Sequence, residues 1–239
     1  MHRLLISDLH LSPDHPRLVR GFVNLVQASQ GQVDELYILG DWFETWVGDD
    51  DDAVWLNQIV DVLHAFAKTG SRVLVMHGNR DFLLGQAFVD RFGGELLPEQ
   101  ISIDMHGQQV RLEHGDALCT DDLKYQAFRS MSRDPAWQAG MLSQPLEQRR
   151  QIAQMMRMQS QMSGANTPDN IMDVNADAVA TVMNGHDVLL HGHTHRPMLH
   201  DLSDGKQRLV LGDWREATGE AMIARQQNNQ AVALETWHF

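Results

Sequence analysis

The chain has a single cysteine, no long hydrophobic run and few cations: 19 Lys and Arg stand against 32 Asp and Glu, for a formal charge of −13. One cysteine, Cys119, excludes a disulfide within the chain and makes a reducing compartment, the cytoplasm, the natural one. No stretch approaches the roughly 20 consecutive apolar residues of a spanning helix, which leaves a soluble or peripheral protein. The apolar stretch at 3–6 is too short for the core of a secretory leader and runs straight into Asp8, so export is not expected. The acidic balance disfavours a general nucleic-acid binder, whose phosphate contacts demand clustered Lys and Arg. Repeats and low-complexity tracts are lacking as well. What is present is 239 residues at 43% hydrophobic content, enough for one sizeable core, and a single domain over 1–239 is expected.

Short apolar runs at 3–7, 35–39, 72–77, 110–114 and 187–191 read as buried strands. Between the second and third, Trp55, Ile59, Val62, Leu63 and Phe66 recur at helical spacing, and Gly70 stops the pattern. Asn175 is a good N-cap for a helix through Val179, Val182 and Met183, with Gly185 past its end. Strand, helix, strand in succession implies crossover connections and a largely parallel α/β sheet. The runs at 208–211, 221–224 and 231–235 lie too close together for intervening helices and are expected to pair by short turns, giving a mixed or two-layered sheet.

The segment 122–170 interrupts this alternation. It holds six of the thirteen Met residues and no β-like run, and Ile152, Met155, Met156 and Gln159 recur at helical spacing. It reads as a helical insertion standing over the crevice. Residues 122–165 carry six basic residues, Lys124, Arg129, Arg133, Arg149, Arg150 and Arg157, against three acidic ones, so the remainder of the chain carries −16. Such a segment either packs its Met and Leu against a core or offers them to acyl chains while its cations approach anionic lipid. Trp137 and Phe128 suit either role. The acidic run at 49–52 reads as a solvated turn ahead of a helix, and His2, His64, His106, His186, His200 and His238 as surface or packed histidines.

Five blocks end in oxygen or nitrogen donors just past an apolar run: Asp8-Leu9-His10, Gly40-Asp41, Gly78-Asn79-Arg80-Asp81, His114-Gly115-Asp116 and Gly192-His193-Thr194-His195. The C-terminal edge of an open α/β sheet is where its loops converge, so these donors are expected to meet in one crevice. Asp8, His10, Asp41, Asn79, His114, His193 and His195 form a mixed oxygen and imidazole set without thiolate, which suits Mn²⁺-type ions better than structural zinc. Two such ions roughly 3.5 to 4 Å apart activate water and stabilise both the attacking and departing oxygens of an in-line displacement. The bridging ligand must be a carboxylate, and Asp41 is the choice.

In order and spacing these blocks resemble the calcineurin-like metallophosphoesterases, a layered αββα fold of mixed sheets. That resemblance implies that Asp8, His10, Asp41 and His195 hold one metal, and Asp41, Asn79, His114 and His193 the other. One departure is Arg80, where the superfamily commonly has a His that protonates a leaving alkoxide. An arginine has no proton to give at neutral pH. That loss is tolerable when the leaving group is a phosphate, with a second pKa of about 6, and a guanidinium can contact a diphosphate bidentately.

More narrowly, Ile6 to Leu11, Tyr37 to Glu44, His77 to Phe82, Ile171-Met172-Asp173-Val174, His191 to Pro197 and Leu211-Gly212-Asp213-Trp214 resemble the UDP-2,3-diacylglucosamine diphosphatases of lipid A synthesis. This implies two divalent ions, Mn²⁺, and hydrolysis of the diphosphate to UMP and 2,3-diacylglucosamine 1-phosphate. It also implies peripheral attachment to an anionic membrane on the cytoplasmic face of the inner membrane, and no nucleic-acid partner. Asp41, Asn79, Arg80 and His114 would be catalytic; Asn79, Arg80, Asp122, Ser160, Thr167 and His193 would contact substrate. The family often has a Lys shortly after the Ser of the insertion; here Asn166 and Thr167 stand in that stretch and no Lys occurs between Lys124 and Lys206. The alternatives are a soluble nucleotide, phosphoprotein or nucleic-acid substrate, or a non-catalytic module with structural metals.

Overall fold

The computed structural model describes residues 1–164, 173–228 and 230–239. In chain order the elements are β1 (Arg3–Ile6), α1 (Pro16–Ser29), β2 (Glu35–Leu39), α2 (Leu56–Ala67), β3 (Arg72–Met76), α3 (Gln86–Asp90), β4 (Glu95–Leu96), β5 (Gln100–Met105), β6 (Gln108–Glu113), α4 (Leu123–Ser132), α5 (Pro135–Leu142), α6 (Leu146–Gly164), α7 (Ala176–Val182), β7 (Val188–His191), β8 (Met198–Asp201), β9 (Gln207–Val210), β10 (Trp214–Arg215), β11 (Glu220–Gln226) and β12 (Ala233–His238).

The strands form two mixed sheets. The first runs β10-β11-β1-β2-β3-β4, with β12 on β11, and is parallel from β1 to β4. The second runs β5-β6-β7-β9-β8, parallel from β6 through β9. Alternation of side chains along each strand builds the layers. Leu4, Ile6, Leu36, Ile38, Val73 and Val75 face a core shared with α1, α2 and α3, which supply Phe22, Leu25, Ile59, Leu63 and Phe88. Leu5, Tyr37, Leu39, Leu74 and Met76 face the other way, against Val110, Leu112, Val188, Leu190 and Leu209 of the second sheet. Leu189 turns outward to Val179 and Met183 under α7.

One expectation changes here. The run at 208–211 lies in β9 and joins β7 and β8 in the second sheet, while only β11 and β12 pair as the close spacing suggested. β9 pairs directly with β7 in parallel and with β8 antiparallel, and the chain changes sheet only after it, at β10. The two layers expected from the family resemblance are present, and the parallel strands are divided between them because the buried run Val188–His191 pairs with β6 and β9 and not with β3. Asn175 does cap α7, accepting from the backbone N–H groups of Asp177 and Ala178.

Helices α4 to α6 rest on the body through ion pairs. Arg149 is buried and bonds both Asp50 oxygens and the carbonyl of Val47. Arg150 reaches Asp51 at 2.6 Å and Asp52 at 2.7 Å. Asp49 accepts from the backbone N–H of Gly85 at 2.8 Å and of Phe88 at 3.0 Å. The acidic run is an exposed turn at Asp50 and Asp52, as expected, but also a docking platform, since cations about a hundred residues downstream come to meet it. The same pairing occupies the arginines expected to approach lipid, with Arg129 and Arg133 also held by Glu99. Among the apolar residues of these helices, Trp137 and Met141 pack on the core, whereas Leu123, Met131, Met155 and Met158 are exposed.

Candidate metal centre

All seven candidate ligands converge where the C-terminal edges of the two sheets meet. Asp8, Asp41 and Asn79 follow β1, β2 and β3; His114 follows β6; His193 and His195 follow β7. The backbone is arranged to present them. Asp8, His10, Asp41, His193 and His195 have φ of 56°, 51°, 48°, 66° and 54°, the left-handed region that non-glycine residues enter only against steric resistance. Five of the eight such residues among those described are these ligands, so strain is concentrated at the site. Ladder-like bonds beyond the strands hold it: Asp8 N–H donates to Gly40 O at 3.2 Å, His10 N–H to Asp41 O at 3.0 Å and Gly192 N–H to His114 O at 2.9 Å.

The side chains fall into two overlapping groups, Asp8 with His10 and His195, and Asp8 with Asp41 and His114. His10 Nε2 and His195 Nε2 are 3.2 Å apart, and His195 Nε2 is 3.3 Å from Asp8 Oδ1. Asp41 spans the cluster, with Oδ2 4.0 Å from His10 Nδ1 and Oδ1 3.6 Å from His114 Nε2. Asn79 Oδ1 faces both His114 Nε2, at 3.0 Å, and His193 Nδ1, at 2.9 Å. His114 Nδ1–H donates to Leu39 O at 2.9 Å, which fixes the tautomer and aims the Nε2 lone pair inward.

Electrostatics divide the histidines: against the effect of burial, the surrounding carboxylates, Asp41 and Asp8 at His114 and Asp8 at His195, raise these two rings, whereas the other two are lowered. Burial pushes the Asp41 carboxyl up to about 6 against the pull of His114 and Arg80. Burial lowers His193 to about 4, and burial with the Arg80 charge lowers His10, so both rings are neutral at pH 7 and offer lone pairs. Burial opposes charge on Asp8 too, but the His195 and His114 rings hold its carboxyl well below the usual range. Among the described residues Asp8 Oδ1 and His10 Nδ1 are buried without a well-formed hydrogen bond, Asp8 Oδ1 having only the 3.3 Å approach of His195 Nε2. A buried orphan of this kind costs about 1–3 kcal/mol, and since Asp8 belongs to both candidate metal groups, a cation there would relieve its orphaned oxygen. With oxygen and imidazole donors and no thiolate, the residues present fit divalent metal ions.

A family model described as calcineurin-like phosphoesterase matches residues 1–197. The chain belongs to this family. Among curated relatives, the UDP-2,3-diacylglucosamine hydrolase of Chromohalobacter salexigens is 45% identical over 224 residues, covering 92% of this phosphoesterase and 91% of that protein. The hydrolase of the same name from Chromobacterium violaceum is 48% identical over 221 residues, covering 91% and 92%. A solved archaeal phosphodiesterase aligns over 99% of each chain with a TM-score of 0.51 at 13% identity, a likeness of fold.

The remaining candidate residues are placed as follows. Arg80 flanks the phosphoesterase cluster, Nε 3.2 Å from Asp41 Oδ2 and backbone N–H donating to Asp41 Oδ1 at 2.9 Å. Asp122 caps α4 by accepting from Tyr125 N–H at 3.0 Å. Ser160 is exposed on α6, and Thr167 lies outside the described residues. Three neighbours were not singled out from sequence. Buried Asp81 ties two ligand loops together, accepting from Trp42 N–H and Gly78 N–H, each at 2.7 Å. Buried Asp116 bonds Tyr125 and Arg129 and so roots α4 beside His114; burial opposes its charge, but His114, His193 and both arginines hold its carboxyl well below normal. Glu44 bonds Arg80 at 2.7 Å and Arg157 of α6. Asp81 and Asp116 each close a candidate ligand block, and Glu44 closes the stretch Tyr37 to Glu44 that carries the family resemblance; those positions were the available signal.

Gly78 lets two ligand loops approach. A Cβ there would lie 2.2 Å from both the backbone nitrogen and Oδ1 of Asp41. Gly78→Ala is expected to lose about 1–3 kcal/mol by overpacking and to lower metal content, measured by thermal melting and by metal analysis of the purified protein.

Proposed function

We propose that this protein hydrolyses the diphosphate of UDP-2,3-diacylglucosamine in lipid A synthesis, releasing UMP and 2,3-diacylglucosamine 1-phosphate, with water attacking the phosphorus nearer uridine. The observation that carries this reading is Arg80 at the rim of the ligand cluster, in a chain 45% and 48% identical to proteins named for that substrate. Asp8, His10, Asp41 and His195 hold one divalent ion, and Asp41, Asn79, His114 and His193 the other, Mn²⁺ in both. Bound there, the two ions acidify a water and neutralise charge developing on the phosphoryl oxygens.

The chain's own residues supply the rest. Arg80 is braced by Asp41 and Glu44 and places its planar fork against the diphosphate. Nothing need protonate the departing group, since a phosphate leaves as a stable anion. Asn79, its oxygen turned to the imidazoles, keeps its amide nitrogen to donate to a phosphate oxygen. His193 contacts substrate beside it. On α6, Ser160 lies three residues past Arg157 and so on the same helix face, from which it reaches the acylated sugar. Asp122 and Thr167 complete the substrate contacts assigned by family resemblance.

Residues 122–170 act as a lid inserted in the single domain, and the enzyme works as a peripheral protein on the cytoplasmic face of the inner membrane. Among the described residues no helix is long and apolar enough to cross a membrane. With the lid arginines engaged by carboxylates, exposed Leu123, Met131, Met155 and Met158 are the contacts to lipid. UMP release from UDP-2,3-diacylglucosamine is expected with Mn²⁺ and not after chelation, at two ions per chain by metal analysis. Faster cleavage of soluble nucleotides, phosphoproteins or nucleic acid would overturn the substrate, and no hydrolysis with any divalent ion would make this a binding module.

A further inference from the structure

Glu44 stands five residues past Leu39, the end of β2, outside the seven candidate ligands, yet three elements meet on its carboxylate. Arg80, from the loop after β3, donates Nη1 to Oε2 at 2.7 Å. Arg157, 113 residues away on α6, bonds Oε1 through Nε. His10 Nδ1 lies 3.5 Å from Oε2. Each oxygen thus serves a different arginine, and the two guanidiniums are held side by side at the rim of the site. The other contact of Arg80 is Asp41, whereas Glu44 is the partner seen for Arg157. Glu44 itself is held by its backbone, its N–H donating to Leu11 O at 3.0 Å, and it follows fully buried Trp42 and Phe43. A rigid body-side carboxylate therefore fixes the position of a cation carried by a helix that is otherwise tied down some two turns earlier, at Arg149 and Arg150.

We infer that Glu44 is a positioning residue that clamps Arg80 and Arg157 into a paired receptor for the two phosphates of the substrate, coupling the placement of α6 to the reacting centre. This rests on the diphosphate reading above. Two arginines brought close repel one another, and a shared carboxylate offsets that repulsion while leaving the outward N–H groups of each fork free to contact anionic oxygens. Without the clamp Arg157 must be ordered by the substrate itself, which weakens binding more than it slows the chemical step.

Glu44→Ala is expected to raise KM for UDP-2,3-diacylglucosamine about tenfold, as for loss of a charge-assisted contact, with kcat changed far less. Glu44→Gln, which keeps the shape and one acceptor, is expected to fall between it and the parent. Amide exchange over 146–157 is expected to accelerate in Glu44→Ala, and Arg157→Ala added to Glu44→Ala is expected to raise KM little further. Unchanged KM and exchange, or fully additive effects of the pair, would overturn the clamp. So would loss of bound Mn²⁺ at unchanged KM, because Glu44 would then act through His10. The exchange measurement needs no substrate, so it tests the clamp even if the parent protein fails to turn over UDP-2,3-diacylglucosamine.

Discussion

Asp41→Ala is expected to reduce UMP release by about a thousandfold or more, since metal stabilisation of a phosphoryl transition state is worth several kcal/mol and each 1.4 kcal/mol is a factor of ten. The two oxygens of Asp41 face different halves of the cluster, toward His10 on one side and His114 on the other, while Asp8 is the residue common to both candidate groups. On the proposed assignment its removal would take away a ligand common to both ions, in contrast to an outer residue. His114→Ala should match it closely, because His114 is aimed by the Leu39 carbonyl and has no substitute within reach. Metal analysis separates this from unfolding: the variant should keep the parent's circular dichroism and lose bound metal. Two ions retained per chain with normal turnover would refute the ligand assignment.

Arg80→Ala is expected to cost about a hundredfold in kcat/KM on the diphosphate substrate, the value of roughly two charge-assisted hydrogen bonds. Arg80→Lys should recover little, because an ammonium cannot reproduce a bidentate fork and would not span Asp41 and Glu44 together. Arg80→His is the informative variant. It restores a group able to protonate an alkoxide, so cleavage of simple esters with poor leaving groups should gain on the diphosphate even as the diphosphate rate falls. A parent-like diphosphate rate in all three variants would remove Arg80 from the reaction.

The candidate ligand blocks were legible in the sequence because metal chemistry restricts residue type, and the structure brings their side chains together. Asp8, Asp41, Asn79, His114 and His193 each follow a buried strand, and the parallel order of β1 to β3 and of β6 and β7 carries their loops to one edge. The capping preference of Asn175 and the helical period ending at Phe66 were equally local, and both stand in the structure. Illegible were features whose meaning depends on a partner far along the chain. The carboxylates at 49–52 look solvated until Arg149 and Arg150 arrive, and the cations of the insertion look free for lipid until Asp50, Glu99 and Glu44 are seen against them. The run in β9 joined the second sheet because neither its length nor its composition carries pairing information.

By itself, then, the amino-acid order determined the strands, the donors after them and the exchange of a proton donor for Arg80, since all three reside in residue identity and short-range period. Tertiary structure alone decided which strands pair in each sheet, the left-handed backbone at five candidate ligands, and the carboxylates that lock α4 to α6 onto the body. Those outcomes depend on which distant groups come within hydrogen-bonding reach, and the strain at the ligand positions persists only because packed strands and the surrounding loops over-determine it.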